Sequence, residues 1–109
     1  MTPTERTIRH FFDRGIIAGR IDRRTGPIEV DWPGQGVGFA DILAAPPEGP
    51  LLIQVTSKAN HASRVRKVCE QSHVVRTCLQ NGFMVECWSW AKDDDEPRIT
   101  PITLNKLGS

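Results

Sequence analysis

Phe39-Ala40-Asp41-Ile42-Leu43-Ala44, then Ala45-Pro46-Pro47-Glu48-Gly49-Pro50, then Leu51-Leu52-Ile53-Gln54-Val55-Thr56: two apolar runs parted by a proline-rich turn decide the fold of this chain. Three prolines and a glycine in five residues remove backbone donors and fix φ, so no strand runs through residues 46–50. The two runs therefore read as antiparallel neighbours. The second is almost unbroken in apolar character, the mark of a central strand buried on both faces. The polar residues inside these runs carry the information. A carboxylate at Asp41 is costly to desolvate without a partner or a metal. Gln54 and Thr56 alternate with Ile53 and Val55, so they share one face. If the strand stays extended, Lys58 continues that face. The turn brings Asp41 within reach of this row. A carboxylate, a neutral oxygen ligand and an ammonium on one face suit Mg²⁺ and a phosphate.

Outward from this hairpin the pattern alternates. Thr2-Pro3-Thr4-Glu5 is a capping box with proline at N1, and Ile8, Phe11 and Phe12 form the apolar stripe of a helix ending at Gly15. Residues 16–21 read as a strand, 23–27 as a turn, 28–32 as a candidate short strand, and the glycine-rich stretch 33–38 as a loop. After the hairpin, Asn60 is a candidate cap for one long helix. Its stripe is Val65, Val68, Cys69, Ser72, Val75 and Leu79, and it closes at Asn81-Gly82. Residues 83–90 are a strand and 98–104 a candidate edge strand. The order α-β-β-β-α-β-β describes one α/β domain over residues 1–104, a mixed central sheet flanked by two helices, with 105–109 as a tail.

At 109 residues the chain has the size of one domain that folds without staples. It has no apolar run near the ~20 residues that span a bilayer. No apolar signal segment opens it, which reads as an intracellular, cytoplasmic protein. Three cysteines, an odd number, argue against a secreted disulfide framework. Net charge is +1, but four of the thirteen acids sit together at residues 93–96, and without them the balance is +5. Lys and Arg gather in two stretches, Arg6 to Arg24 and Lys58 to Arg76, a pattern that fits a polyanion-binding face.

These residues, in this order, resemble the PD-(D/E)xK nuclease superfamily, and within it the small Holliday-junction resolvases and Mrr-like restriction domains. The resemblance covers roughly residues 4–90. It rests on an opening helix with an acid (Glu5), a Gly-led strand from Gly15, a hairpin ending in Asp41, the apolar strand with the second half-motif, and a basic helix and closing strand. It implies a restriction-endonuclease-like fold and a metal-dependent DNA endonuclease that hydrolyses phosphodiester bonds, with a resolvase-like preference for structure. Asp41 and Gln54, with the Val55 carbonyl, are then the expected ligands of Mg²⁺ or Mn²⁺, and Glu5 a supporting acid. The sequence departs from the motif at two places: Gln54 stands where the family has Asp or Glu, as in Mrr-like branches, and Thr56 where it has lysine. Lys58, or else Lys67, is the candidate replacement. Arg20, Lys58, Arg64 and Lys67 are the expected contacts to duplex or branched DNA. A domain this small offers little surface to such a substrate, so a homodimer is expected.

Plainer readings stand beside these. Asp41 also suits a strand-end carboxylate accepting backbone hydrogen bonds, Gln54 a cross-strand amide, and Glu5 the capping box alone. Cys69, His73, Cys78 and Cys87 fit no usual zinc spacing and read as structural. Trp88 and Trp90 share a strand face and suit packing better than stacking on bases. A domain that keeps the fold but has lost cleavage, binding nucleic acid or a protein, is the alternative function.

Overall fold

The computed structural model describes residues 1–21 and 39–107. The expected turn at 23–27, the candidate strand at 28–32 and the glycine-rich loop at 33–38 lie outside them. Helix α1 (Pro3–Phe12) starts as its capping box requires. The Thr2 hydroxyl accepts from the Glu5 N–H at 3.1 Å, and the Glu5 carboxylate accepts from the Thr2 N–H at 3.1 Å. Thr2→Ala removes half of this cap and is expected to cost about 1 kcal/mol, read as a lowered midpoint in urea at unchanged slope.

Strands β1 (Ala18–Arg20), β2 (Ile42–Ala44), β3 (Leu51–Ser57), β4 (Met84–Trp90) and β5 (Arg98–Ile102) form one sheet in the order β1-β2-β3-β4-β5. β1, β2 and β3 pair antiparallel, β3 and β4 parallel, and β4 and β5 antiparallel. The α/β class and the mixed sheet expected from the sequence are therefore present. β1 and β2 are shorter than the expected 16–21 and 39–44, and β5 ends at Ile102.

The helix layer differs from the expectation. The single long helix is two, α2 (His61–Glu70) and α3 (Ser72–Gln80), broken at Gln71 with φ −87° and ψ 46°. Val68 and Val75 lie seven residues apart, so the break leaves the apolar stripe in phase, and periodicity does not reveal it. Asn60 makes no side-chain cap. A 3₁₀ turn (Lys58–Asn60) precedes α2 and takes up the His61 N–H through the Lys58 carbonyl, while the Asn60 amide donates to the Ser57 hydroxyl at 3.1 Å.

Two cores lie on the two faces of the sheet. Phe11 of α1 packs with Ile42, Leu51, Ile53, Val55, Trp88 and Trp90. Phe39, Ala40, Leu52, Val85 and Ile102 pack with Val68 and Val75 of α2 and α3. Both tryptophans are buried, and Trp90 donates its indole N–H to the Thr7 hydroxyl at 2.8 Å. Cys69 and Cys78 join the second core, where burial pushes both thiols up. A closing 3₁₀ turn (Leu104–Leu107) brings Leu107 against that core.

Candidate functional site

Asp41 stands one residue before β2, and its N–H donates to the Ile53 carbonyl at 2.8 Å, which extends the β2–β3 ladder past Ile42. Ile42 and Ala44 face α1, so Asp41 faces α2 and α3. Leu52 faces the same way, and with it Gln54 and Thr56. The hairpin thus brings Asp41 and Gln54 together on one face, as their placement in sequence predicts. Both are half-buried.

The contacts are direct. Gln54 Nε2 donates to Asp41 Oδ2 at 2.7 Å, and the Val55 N–H donates to the same oxygen at 2.8 Å. Gln54 Nε2 also lies 3.3 Å from the Val55 carbonyl oxygen. A carboxylate, an amide and a main-chain carbonyl therefore converge, all of them hard donors once the Gln54 amide turns its oxygen inward. As placed, the set carries a single formal charge and turns the Gln54 N–H₂ toward both oxygens, so taking a hard cation requires that amide to turn. Among the described residues no three His, Cys, Asp or Glu side chains group as metal ligands.

The other expected residues go elsewhere. β3 ends at Ser57, and Lys58 opens the 3₁₀ turn instead of extending the strand. Its ammonium pairs with Asp94 at 2.7 Å. Asp94 in turn accepts from the Ala91 N–H, and its main-chain oxygen accepts from Arg6 of α1. Lys58 is thereby tied toward the α1 side, away from the face of Gln54. The reason is local: a turn replaces the extended backbone on which the expected alignment depended. Thr56, at the motif's lysine position, is buried. Glu5 is exposed and engaged in the capping box, where the Thr2 backbone and hydroxyl hold its carboxyl below the usual range. Arg20 pairs in register with Ile42 and so shares the α1-side face. Lys67 is exposed on α2, and Arg64 is half-buried.

One residue near the site, His61, escaped the sequence reading, while Cys87, read there as structural, is buried beside Gln54. His61 is buried at 1% exposure and bridges β4 and β5, with Nδ1 2.6 Å from the Ser89 hydroxyl and Nε2 2.7 Å from the Thr100 hydroxyl. Cys87, level with Gln54 on β4, is fully buried, and its thiol is pushed up to about 11 by burial and by the Asp41 carboxylate. Partners 28 and 39 residues away, on β4 and β5, leave no local signal at His61.

No family model matches the chain, and no curated protein or solved structure matches it either.

Proposed function

We propose that this domain binds DNA and, with a divalent metal, hydrolyses its phosphodiester backbone in the manner of PD-(D/E)xK nucleases. The observation that carries the reading is the 2.7 Å contact between Asp41 and Gln54 on adjacent strands, with Val55 beside both. The element order around it, an acid-bearing helix, a three-stranded antiparallel run, a basic helical crossover and a parallel strand, supports the restriction-endonuclease-like assignment. Asp41, Gln54 and the Val55 carbonyl would hold Mg²⁺ or Mn²⁺, which when bound would supply a water of lowered pKa and a Lewis-acid contact to the phosphoryl oxygen. The Val55 N–H fixes the Asp41 carboxylate in place. Arg64 and Lys67 on α2 grip backbone phosphates, contacts that position DNA without reading sequence. A homodimer belongs to the same reading, since paired sites suit duplex or branched DNA.

A second reading rests on different observations. Thr56 is buried at the lysine position, Lys58 is paired with Asp94, and Glu5 serves its cap. A nuclease fold kept only for binding nucleic acid or a protein fits these facts. The test is cleavage of supercoiled plasmid and of a four-way junction in Mg²⁺, Mn²⁺ and EDTA, beside a binding assay on the same DNA. Metal-dependent cutting supports the nuclease; tight binding with no cutting in either metal establishes the non-catalytic module.

Gln54→Glu separates metal affinity from both. It replaces a 2.7 Å hydrogen bond to Asp41 with two facing carboxylates. In EDTA the variant is expected to lose about 2 kcal/mol, the worth of a hydrogen bond to a charged group, or roughly 10 °C in Tm. Mg²⁺ or Mn²⁺ should restore the loss, because a second carboxylate suits a hard cation. A Tm that metal does not move would count against a metal site here.

A further inference from the structure

The motif's lysine is missing from β3, and the two lysines nearest in sequence do not supply it, one being paired with Asp94 and the other exposed. Helix α2 offers a different cation. Its sheet-facing stripe is His61, Val65 and Val68. His61 sits over Ser89 and Thr100 near the C-terminal end of β4, and Val68 packs with Leu52 and Val85. α2 therefore runs antiparallel to β3 and β4, and its residues 64 and 65 lie level with Gln54 and Cys87, which pair in register. The connection from β3 through α2 and α3 to parallel β4 is a crossover of the kind that is almost always right-handed. With that hand, stepping 100° per residue from the buried stripe turns Val65 toward β4 and β5, and Arg64 toward β3 and β2. That flank holds Asp41 and Gln54.

Arg64 is half-buried there, and among the described residues it makes no hydrogen bond or ion pair, although Arg6, Arg9, Arg14 and Lys58 all do. An arginine whose side chain is partly covered while its guanidinium has no acceptor among the described residues leaves that head available to an anion.

We propose that Arg64 is the cation of the Asp41–Gln54 site, meeting the scissile phosphate where the family's motif has lysine. The assignment rests on the reading of this site as one for DNA phosphodiesters. Arg64 acts there by bidentate contact to phosphate oxygens, neutralising charge that grows in the transition state. Being permanently charged, it donates to the phosphate and takes no proton from water.

The test is a double-mutant cycle read by DNA binding in EDTA, using a labelled duplex and fluorescence anisotropy. The proteins are wild type, Asp41→Asn, Arg64→Met (which keeps the apolar stem) and the double variant. Asp41→Asn should tighten wild-type binding about three- to tenfold, as expected for removing one like charge near a bound phosphate. Arg64→Met should weaken binding and flatten the slope of log K against log salt by roughly 0.9. In its background Asp41→Asn should no longer tighten. Arg64→Lys, which keeps the charge, should recover part of the coupling and shows that the loss is not misfolding. Additive effects within about twofold overturn the proposal, since Arg64 then meets phosphate away from Asp41. So does a variant Arg64→Met that cuts at the wild-type rate while Asp41→Asn is dead, an outcome that leaves the nuclease reading intact. Coupling without any cutting by the wild type supports Arg64 as the phosphate contact and ends the nuclease reading alone. Absence of DNA binding by the wild type overturns both.

Discussion

Asp41→Asn is expected to abolish metal-dependent cleavage while the folded domain persists. Asp41 is the one carboxylate in the converging donor set and the acceptor of two hydrogen bonds, from Gln54 and the Val55 N–H. Loss of even a residue that only hydrogen-bonds a metal's ligand costs about 10–100-fold, so removing the charged ligand should cost more than roughly 10²-fold in rate. The structural penalty is smaller. The asparagine carbonyl still accepts from Val55, and exchanging charged for neutral hydrogen bonds costs about 1–2 kcal/mol. The measurements are single-turnover cleavage in Mg²⁺ and Mn²⁺ and urea denaturation of the same protein. Cleavage at near wild-type rate would remove Asp41, and with it the proposed centre. A protein that no longer folds would assign Asp41 a structural role instead.

The largest effect on stability is expected from His61→Ala. The imidazole is fully buried and joins the start of α2 to β4 and β5 through the Ser89 and Thr100 hydroxyls. A neutral imidazole donates from one nitrogen and accepts at the other, and each hydroxyl can take the complementary role. Alanine leaves a cavity and two hydroxyls short of a partner, together about 3 kcal/mol or more. The Tm should fall by roughly 15 °C. Burial, with Arg98 and Lys58 nearby, lowers the His61 pKa from its ordinary 6.5, and burial lowers that of His10, which packs edge-on against Trp88 at 5.0 Å. The unfolded chain therefore takes up protons first as pH falls. The stability that these neutral rings contribute is complete above pH 6.5 and is lost below it, toward their lower folded-state values. Glu5 and Asp94, whose carboxyls are held below 4.5 and 3.8, add a separate loss at more acidic pH. Urea midpoints between pH 7.5 and 5 should decline for the wild type and decline less for His61→Ala. Parallel curves would mean that His61 is not the residue that titrates.

The hairpin was legible because its cause is local. Three prolines and a glycine at residues 46–50 leave the chain little choice but to turn, and period-2 alternation fixes which residues share a face. The capping box was legible for the same reason, since Thr2 and Glu5 satisfy each other within one turn. The acid and the amide at the candidate site followed from these rules, as did the burial of the tryptophans.

Other features were settled by contacts that no local rule contains. Lys58 left the Gln54 face because a 3₁₀ turn began at its own position and Asp94, thirty-six residues on, offered it a carboxylate. The break at Gln71 left the apolar stripe in phase, so the sequence reads through it. His61 has no partner in its own segment; its hydrogen-bond partners arrive on β4 and β5. Arg64 and Lys67 look alike in the sequence, two cations three residues apart on one helix. How α2 lies over β3 and β4 leaves one half-buried and the other exposed, which alternation along the chain does not say. Short-range sterics and alternation thus determined the strands, the turn and the pair Asp41–Gln54, whereas which cation could serve that pair was decided by the packing of a helix on a sheet.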